Sequence, residues 1–313
     1  MIVELPNTTT SKITKEIVNM REQGGVVALG RVLTLVVITS SGAEEEAITA
    51  ANLASREHPC RIIVLAAGSA DEATRLDGEI RVGGDAGASE VIVLRGSGEL
   101  AAENESLVSA LLLPDAPIVA WWPRQAPKFP SESPIGRIAH RRITDSSSAA
   151  DPREALSGMA HSYADGDTDL AWTRLTNWRI QLAAALDQYD GSDPITAISV
   201  EGASDSPSTL LLAAWLQLAL AVPVSLSENI AGSGIGSVTL ERSEGRVELR
   251  RPDAMNAVLS QTGQPEQKIA LPRRSLQDCL AEELRRLDPD EVFGEVLTKG
   301  LAKLPSPKKV AHS

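Results

Sequence analysis

Four short runs, each apolar on both faces, limit what this chain can fold into. They are "LTLVVITS" (33–40), "CRIIVLAAG" (60–68), "SEVIVLRG" (89–96) and "APIVAWWP" (116–123). A strand with one wet face alternates polar and apolar residues. A strand apolar on both faces needs cover on both sides, which is the condition of a buried parallel sheet. Helical segments separate the runs, as in "GAEEEAITAANLASREHP", which Pro59 closes. This alternation predicts βαβ units: an α/β fold with a mostly parallel sheet flanked by helices in the N-terminal half. Further helices are expected over 14–25, ending at the Gly24–Gly25 pair, and over "ELAAENESLVSALLLP" (99–114). Ser41 and Glu44 fit a capping box. "EIRVGGDAG" is a weaker strand candidate, and "RIAHRRITD" adds another after the proline-rich loop 123–137.

The second half changes its grammar. "ITAISVEGASDSPSTLLLAAWLQLALA" repeats the strand–loop–helix unit, with Ser206 as N-cap and Pro207 at the first helical position;. "GSVTLERSEGRVELRR" alternates Val238/Leu240 with Val247/Leu249 about a glycine-containing turn, an antiparallel hairpin, and "NAVLSQTGQPEQKIALP" reads as a second;. Two helices, "SLQDCLAEELRRL" and "DEVFGEVLTKGLAKL", end the fold. The expected division is an N-terminal α/β domain over 1–150, a C-terminal α/β domain with an antiparallel meander over 151–304, and a flexible tail over 305–313. The break is placed near "SSSAADP".

Charge and composition exclude several function classes. The 313 residues carry 30 Lys and Arg against 42 Asp and Glu, a net charge of −12, which disfavours a broad nucleic-acid surface;. The longest apolar runs are broken by Arg31 and Gln217 and fall short of a bilayer span, so no membrane role is expected;. The first residues lack the pattern of a signal peptide, and the chain reads as cytoplasmic. Cys60 and Cys279 make no disulfide framework, although a redox pairing of the two stays open;. His58, His140, His161 and His312 are scattered without metal-ligand spacing;. "GSGIGS" precedes a strand rather than opening a helix;. Glu44, Glu45 and Glu46 fill the first helical turn after the first buried strand, where they would repel a pyrophosphate;. No catalytic residue, cofactor site or metal site is expected.

The unusual side chains gather elsewhere. Trp121 and Trp122 end a strand, and Arg124, Arg137, Arg141 and Arg142 follow them, an aromatic and cationic set of the kind enriched at interaction hot spots;. In "DLAWTRLTNWRIQLAA" (169–184), read as one helix at about 100° per residue, Trp172, Leu175, Trp178, Leu182 and Leu186 share an arc of roughly 120°;. Arg179 projects into that arc and must pair with a carboxylate, stack on indole or meet an anion. Asp165, Asp167 and Asp169 are candidate partners for it or for Arg174. The helix "LLLAAWLQLALA" is apolar nearly all round, hence either fully buried or a self-association surface;.

"DLAWTRLTNWR" together with "LLLPDAPIVAWWP" resembles the glucose-6-phosphate dehydrogenase assembly protein family, OpcA, and the similarity runs through nearly the whole chain. The resemblance implies a non-catalytic partner of NADP-dependent glucose-6-phosphate dehydrogenase, the entry enzyme of the oxidative pentose phosphate pathway. Such a partner would act as an assembly factor and allosteric activator that favours the active oligomer. In photosynthetic relatives the pairing is also tied to thiol redox state. The candidate partner- or anion-binding residues are Trp121, Trp122, Arg124, Arg137, Arg141, Arg142, Trp172, Arg174, Trp178 and Arg179. The alternative is a sugar-phosphate enzyme or metabolite sensor of the same pathway that holds phosphate with Arg141, Arg142 and Arg179.

Overall fold

The structure, a computed structural model, describes residues 1–24, 30, 32–82, 90–188, 193–203, 205–229, 234–304 and 308–309. In chain order its main elements begin with β1 (Ile2–Leu5), α1 (Thr10–Gly24), β2 (Leu33–Ser40), α2 (Glu44–Ala54), β3 (Cys60–Ala67), β4 (Arg75–Arg81), β5 (Glu90–Ser97), β6 (Ile118–Trp121) and β7 (Arg141–Thr144). Next come α3 (Pro152–Ser162), β8 (Asp167–Asp169), α4 (Leu170–Thr173), α5 (Thr176–Leu186), β9 (Ile195–Ala203), α6 (Pro207–Leu220) and β10 (Val224–Asn229). The chain ends with β11 (Ile235–Arg242), β12 (Gly245–Arg250), β13 (Asn256–Gln261), β14 (Gln267–Ala270), α7 (Leu276–Arg285), α8 (Glu291–Glu295) and β15 (Lys308–Lys309).

Two compact units result. The first comprises Met1–Asp145, Ala164–Thr168 and Ser275–Pro289; the second comprises Ser146–Tyr163, Asp169–Arg274 and Asp290–Ser313. The first unit is built on an eight-stranded sheet in the order β1-β4-β5-β3-β2-β6-β7-β8. Strands β2, β3, β5, β6 and β7 run parallel, the four apolar runs among them, while β4 and β1 close one edge antiparallel. Register places Val36 beside Ile63 and Ile63 beside Ile92, and this row packs with Ile13, Ile17 and Met20 of α1. The period-two pleat sends alternate residues to each face, so both faces of these strands need helices.

Several local expectations for this unit change. The helix expected over 99–114 is instead three short 3₁₀ turns, Gly98–Leu100, Glu105–Leu107 and Ser109–Leu111. Asn104 is the reason in the middle: its backbone is extended and its side chain accepts from Ser106 N at 2.9 Å, restarting a turn rather than propagating one;. The Ser41 capping box does not form. Ala43 is the N-cap without a side-chain bond, and the Glu44 carboxylate accepts from Gly42 N at 2.5 Å. "EIRVGGDAG" contributes to β4 as an antiparallel strand, with 83–89 outside the described residues. Gly24 ends α1 as read, while Gly25 lies outside them.

The second unit carries a mixed seven-stranded sheet in the order β14-β13-β12-β11-β9-β10-β15. The hairpin forms as expected, with Val238 opposite Leu249 and Leu240 opposite Val247. Helix α6 begins with the anticipated Ser206 cap and Pro207. Its residues Leu211, Leu212, Ala213, Ala214 and Leu216 are buried in the core of this unit, against Trp172, Trp178, Val200 and Phe293. Among the described residues, no helix is long and apolar enough to cross a membrane.

Candidate functional site

Trp121 and Trp122 are 0% and 1% exposed, so neither forms surface in the free chain. Being consecutive on a strand end, they face opposite sides of the sheet. Trp122 packs with Ile135 and Ala139 of the following loop, and its Nε1 donates to Glu103 at 3.3 Å. The other oxygen of Glu103 accepts from Ile135 N at 2.8 Å, so one carboxylate ties the indole to the loop. Pro130 and Gly136 are buried, and a Cβ at 136 would overlap the Pro130 carbonyl, which keeps that turn tight. On this anchored loop Arg124, Lys128, Phe129 and Arg137 are exposed, with Lys128 Nζ 5.4 Å from the Phe129 ring centre. Arg124 meets Glu46 at 2.8 Å, an exposed pair that contributes little to stability;.

Arg141 and Arg142 point to opposite faces of β7, and both are buried and engaged. Arg141 donates to Glu283 of α7 from Nε (3.0 Å) and Nη2 (2.6 Å), and to the Asp288 carbonyl at 2.7 Å. Arg142 is held by Asp167 and by the carbonyls of Asp165 and Ala139. A phosphate at either guanidinium would have to displace a buried carboxylate. The alternative phosphate-gripping role of these two arginines therefore finds no open donor set.

The stretch read as one helix is two, α4 and α5, broken at Arg174–Leu175. Asp169 fixes where α4 begins. Asp169 caps α4 by accepting from Ala171 N at 2.9 Å and also holds Ser146 N and Oγ, each at 2.8 Å;. Asp167 is taken by Arg142, and the Arg179 guanidinium lies 3.8 Å from the Trp172 ring centre. Of the three outcomes that sequence allowed, stacking on indole is present. Trp172 and Trp178 are each 1% exposed, and Trp172 Nε1 donates to Asp290 at 2.8 Å. Arg174, whose Nη1 donates to Ser147 Oγ at 3.2 Å, and Trp178 stand on the wall of a cavity of this unit.

In the first unit, the strand order runs β2, β3, β5 to one side and β6, β7 to the other. The topological switch point thus falls between β2 and β6, where α/β sheets bind ligands;. The β2–α2 turn at that point is occupied by carboxylates. Glu44 takes the Gly42 N–H and an Arg95 hydrogen bond at 2.8 Å, Glu45 takes Arg81, and Glu79 bridges Arg81 and Arg95. Burial works against ionising Glu44 and Glu79, but their arginine hydrogen bonds and, for Glu44, backbone N–H groups outweigh it and hold both carboxyls below the usual range. Glu45 is lowered chiefly by the Arg81 hydrogen bond.

Carboxyls depressed in the folded state stabilise it above their unfolded value, near 4.5, and lose that contribution as pH falls through the lower folded value;. Circular dichroism through an acid titration is expected to show the chain weakening below about pH 4.5;. Arg95→Gln should move that transition to higher pH, since Glu44 and Glu79 both lose a partner. An unmoved midpoint would remove this cluster from the account of acid stability.

Cys60 and Cys279 are both buried. Among the described residues, no group of three or more His, Cys, Asp or Glu is placed to hold a metal ion. The carboxylates Glu103 and Glu283 and the arginines Arg251, Arg273 and Arg274, which line the cavity of the second unit, had no signal in the sequence. Their partners are separated from them by long stretches of chain.

Residues 51–161 match the glucose-6-phosphate dehydrogenase subunit N-terminal domain, and residues 165–297 match the C-terminal domain of the same subunit. No curated protein matches the chain. Among solved structures, KijD10, a 3-ketoreductase from Actinomadura kijaniata, is 9% identical, with 89% of this chain and 99% of that one covered and a TM-score of 0.50. Glucose-6-phosphate 1-dehydrogenase from Mycobacterium avium is 12% identical, with 90% and 94% covered and a TM-score of 0.43. At its identity the likeness to KijD10 is one of fold alone.

Proposed function

Because the chain belongs to the OpcA family of glucose-6-phosphate dehydrogenase subunits, we propose that it is a non-catalytic assembly factor and allosteric activator of that dehydrogenase. The observation that carries the reading is the pair of family matches, which between them take in both halves of the chain. The carboxylate-filled β2–α2 turn supports its non-catalytic part. A carboxylate already satisfies the N–H that would otherwise face a pyrophosphate, and two more acidic residues follow it in the first helical turn;. Activation follows if the chain binds the active oligomer more tightly than the inactive forms. The setting is the cytoplasm.

The contact face in this reading is the anchored loop of the first unit, with Arg124, Lys128, Phe129 and Arg137 exposed on it. Trp121 and Trp122 act from beneath as its support. Trp172, Trp178 and Arg179 have the same supporting part in the second unit. An exposed aromatic among cations on a rigid loop loses little conformational freedom on binding.

Titrating the purified chain into glucose-6-phosphate dehydrogenase from the same organism, with activity and particle mass followed together, tests the reading. A rise in both is expected. No change in either, under reducing and oxidising conditions alike, would sink it. Phe129→Ala combined with Arg137→Ala should weaken the complex by about tenfold or more, the scale of a hot-spot loss, with the melting temperature unchanged. Full affinity in that variant would move the contact face elsewhere.

A further inference from the structure

The second unit contains a cavity of about 330 Å³ for which the family reading supplies no role. It is lined by Arg174, Arg251, Arg273 and Arg274, with the opening residues of α6 and Trp178 beside Arg251; Arg174 also donates to Ser147 Oγ, and Arg274 to the Thr173 carbonyl. Among the described residues one acidic side chain, Asp205, lines it. Four cations against one anion is the reverse of the chain as a whole, whose net charge is −12. Like charges gathered in a concave, low-dielectric wall focus a field that attracts anions.

Arg251 carries the argument furthest. The buried Arg61, Arg141 and Arg142 each rest on a carboxylate, Glu90, Glu283 and Asp167. Arg251 has no such partner among the described residues. Its Nη2 donates to the Leu271 carbonyl at 3.0 Å, its guanidinium lies 5.0 Å from the Trp178 ring centre, and its Nε is sealed from solvent without a hydrogen-bond partner. Burial first, and the charge of Arg273 second, push its pKa down to about 10, so it stays a cation at neutral pH while opposing its neighbour.

The backbone around the cavity is shaped to the same end. The positive end of the α6 dipole opens onto it at Ser206–Ser208;. Gly202 lets α6 sit close to β9, since a Cβ there would stand 2.3 Å from Thr209 Oγ1. Gly234 has φ +69°, and a Cβ on it would come within 3.1 Å of Arg273 Nη1.

We propose that this cavity binds a small phosphate ester, with the arginines and the α6 N-terminus taking the phosphate oxygens. Guanidinium groups match phosphate geometry with paired, charge-assisted hydrogen bonds. A volume near the low end of the roughly 300–1,000 Å³ typical of small-molecule sites suits a compact metabolite rather than a dinucleotide. The site lies wholly within the second unit, so it stands or falls independently of the dehydrogenase contact.

The test is calorimetric titration of the whole chain, alone, with inorganic phosphate and with inorganic pyrophosphate at low ionic strength. Saturable binding of at least one probe is expected, and tighter binding of pyrophosphate would assign a diphosphate rather than a monophosphate ligand. Arg251→Met and Arg174→Gln should each weaken it by about tenfold, equivalent to about 1.4 kcal/mol. The bound probe should also raise the melting temperature of the parent chain and not of the variants. Arg174→Gln decides the matter should Arg251→Met fail to fold. Absence of saturation by either probe, or unaltered affinity in a folded variant, overturns the proposal.

Discussion

Replacing Trp172 by alanine is expected to destabilise the second unit by about 3–5 kcal/mol, the range for truncating a buried tryptophan. Three contacts end together. The ring is 1% exposed and lies 5.7 Å from Phe293, its Nε1 donates to Asp290, and its face carries Arg179. Asp290 itself would survive as the cap of α8, because its other oxygen accepts from Phe293 N at 3.0 Å. The larger loss is therefore the cavity and the guanidinium left without its platform, a stack worth about 0.5–2 kcal/mol by itself. Urea denaturation measures the total, and a double-mutant cycle with Arg179→Ala isolates the stack. Trp172→Phe should recover most of the packing but not the hydrogen bond. A cost below about 1 kcal/mol for Trp172→Ala would mean that the site collapses around the gap and that the indole is not a structural post.

Glu283→Ala is the second large effect, at about 3–5 kcal/mol, the usual result of leaving one member of a buried ion pair alone. Both side chains of the pair are nearly sealed, 4% exposed for Arg141 and 6% for Glu283. The Asp288 carbonyl would keep one guanidinium nitrogen, but Nε and Nη2 would lose their acceptor in a dry environment. The double variant Arg141→Met with Glu283→Leu should regain most of the loss, because paired burial of charge roughly breaks even against apolar packing of similar volume. That recovery distinguishes a structural pair from a ligand-binding arginine. If Arg141→Met alone left stability intact while abolishing binding of phosphosugars, Arg141 would belong to a site after all.

The apolar arc of Trp172, Leu175, Trp178, Leu182 and Leu186 could be read from spacing, since a helix fixes which residues share a side. The start of α4 could not, because it depends on Asp169 choosing Ala171 N and Ser146 as partners. Arg179 was recognisable as a charge in need of a partner. That it stacks on the Trp172 indole was decided by the fold. Arg141 and Arg142 looked like an open basic pair; their carboxylates lie 142 and 25 residues away along the chain.

The sequence by itself determined what local periodicity and local charge determine. Doubly apolar strands demanded a covered parallel sheet, alternating valines and leucines demanded a hairpin, and Ser206-Pro207 demanded a helix start. Three glutamates after β2 announced a turn unsuited to pyrophosphate. These are properties of neighbours within a few residues, and the period of the backbone enforces them. Only the tertiary structure decided which charges neutralise one another, because ion pairing depends on distance in space. It put carboxylates on Arg61, Arg141 and Arg142, gave Arg251 none among the described residues, and drew four arginines from three separate stretches of chain around one cavity. A guanidinium's role follows from what stands within about 4 Å of it, and that neighbourhood exists only once the chain has folded.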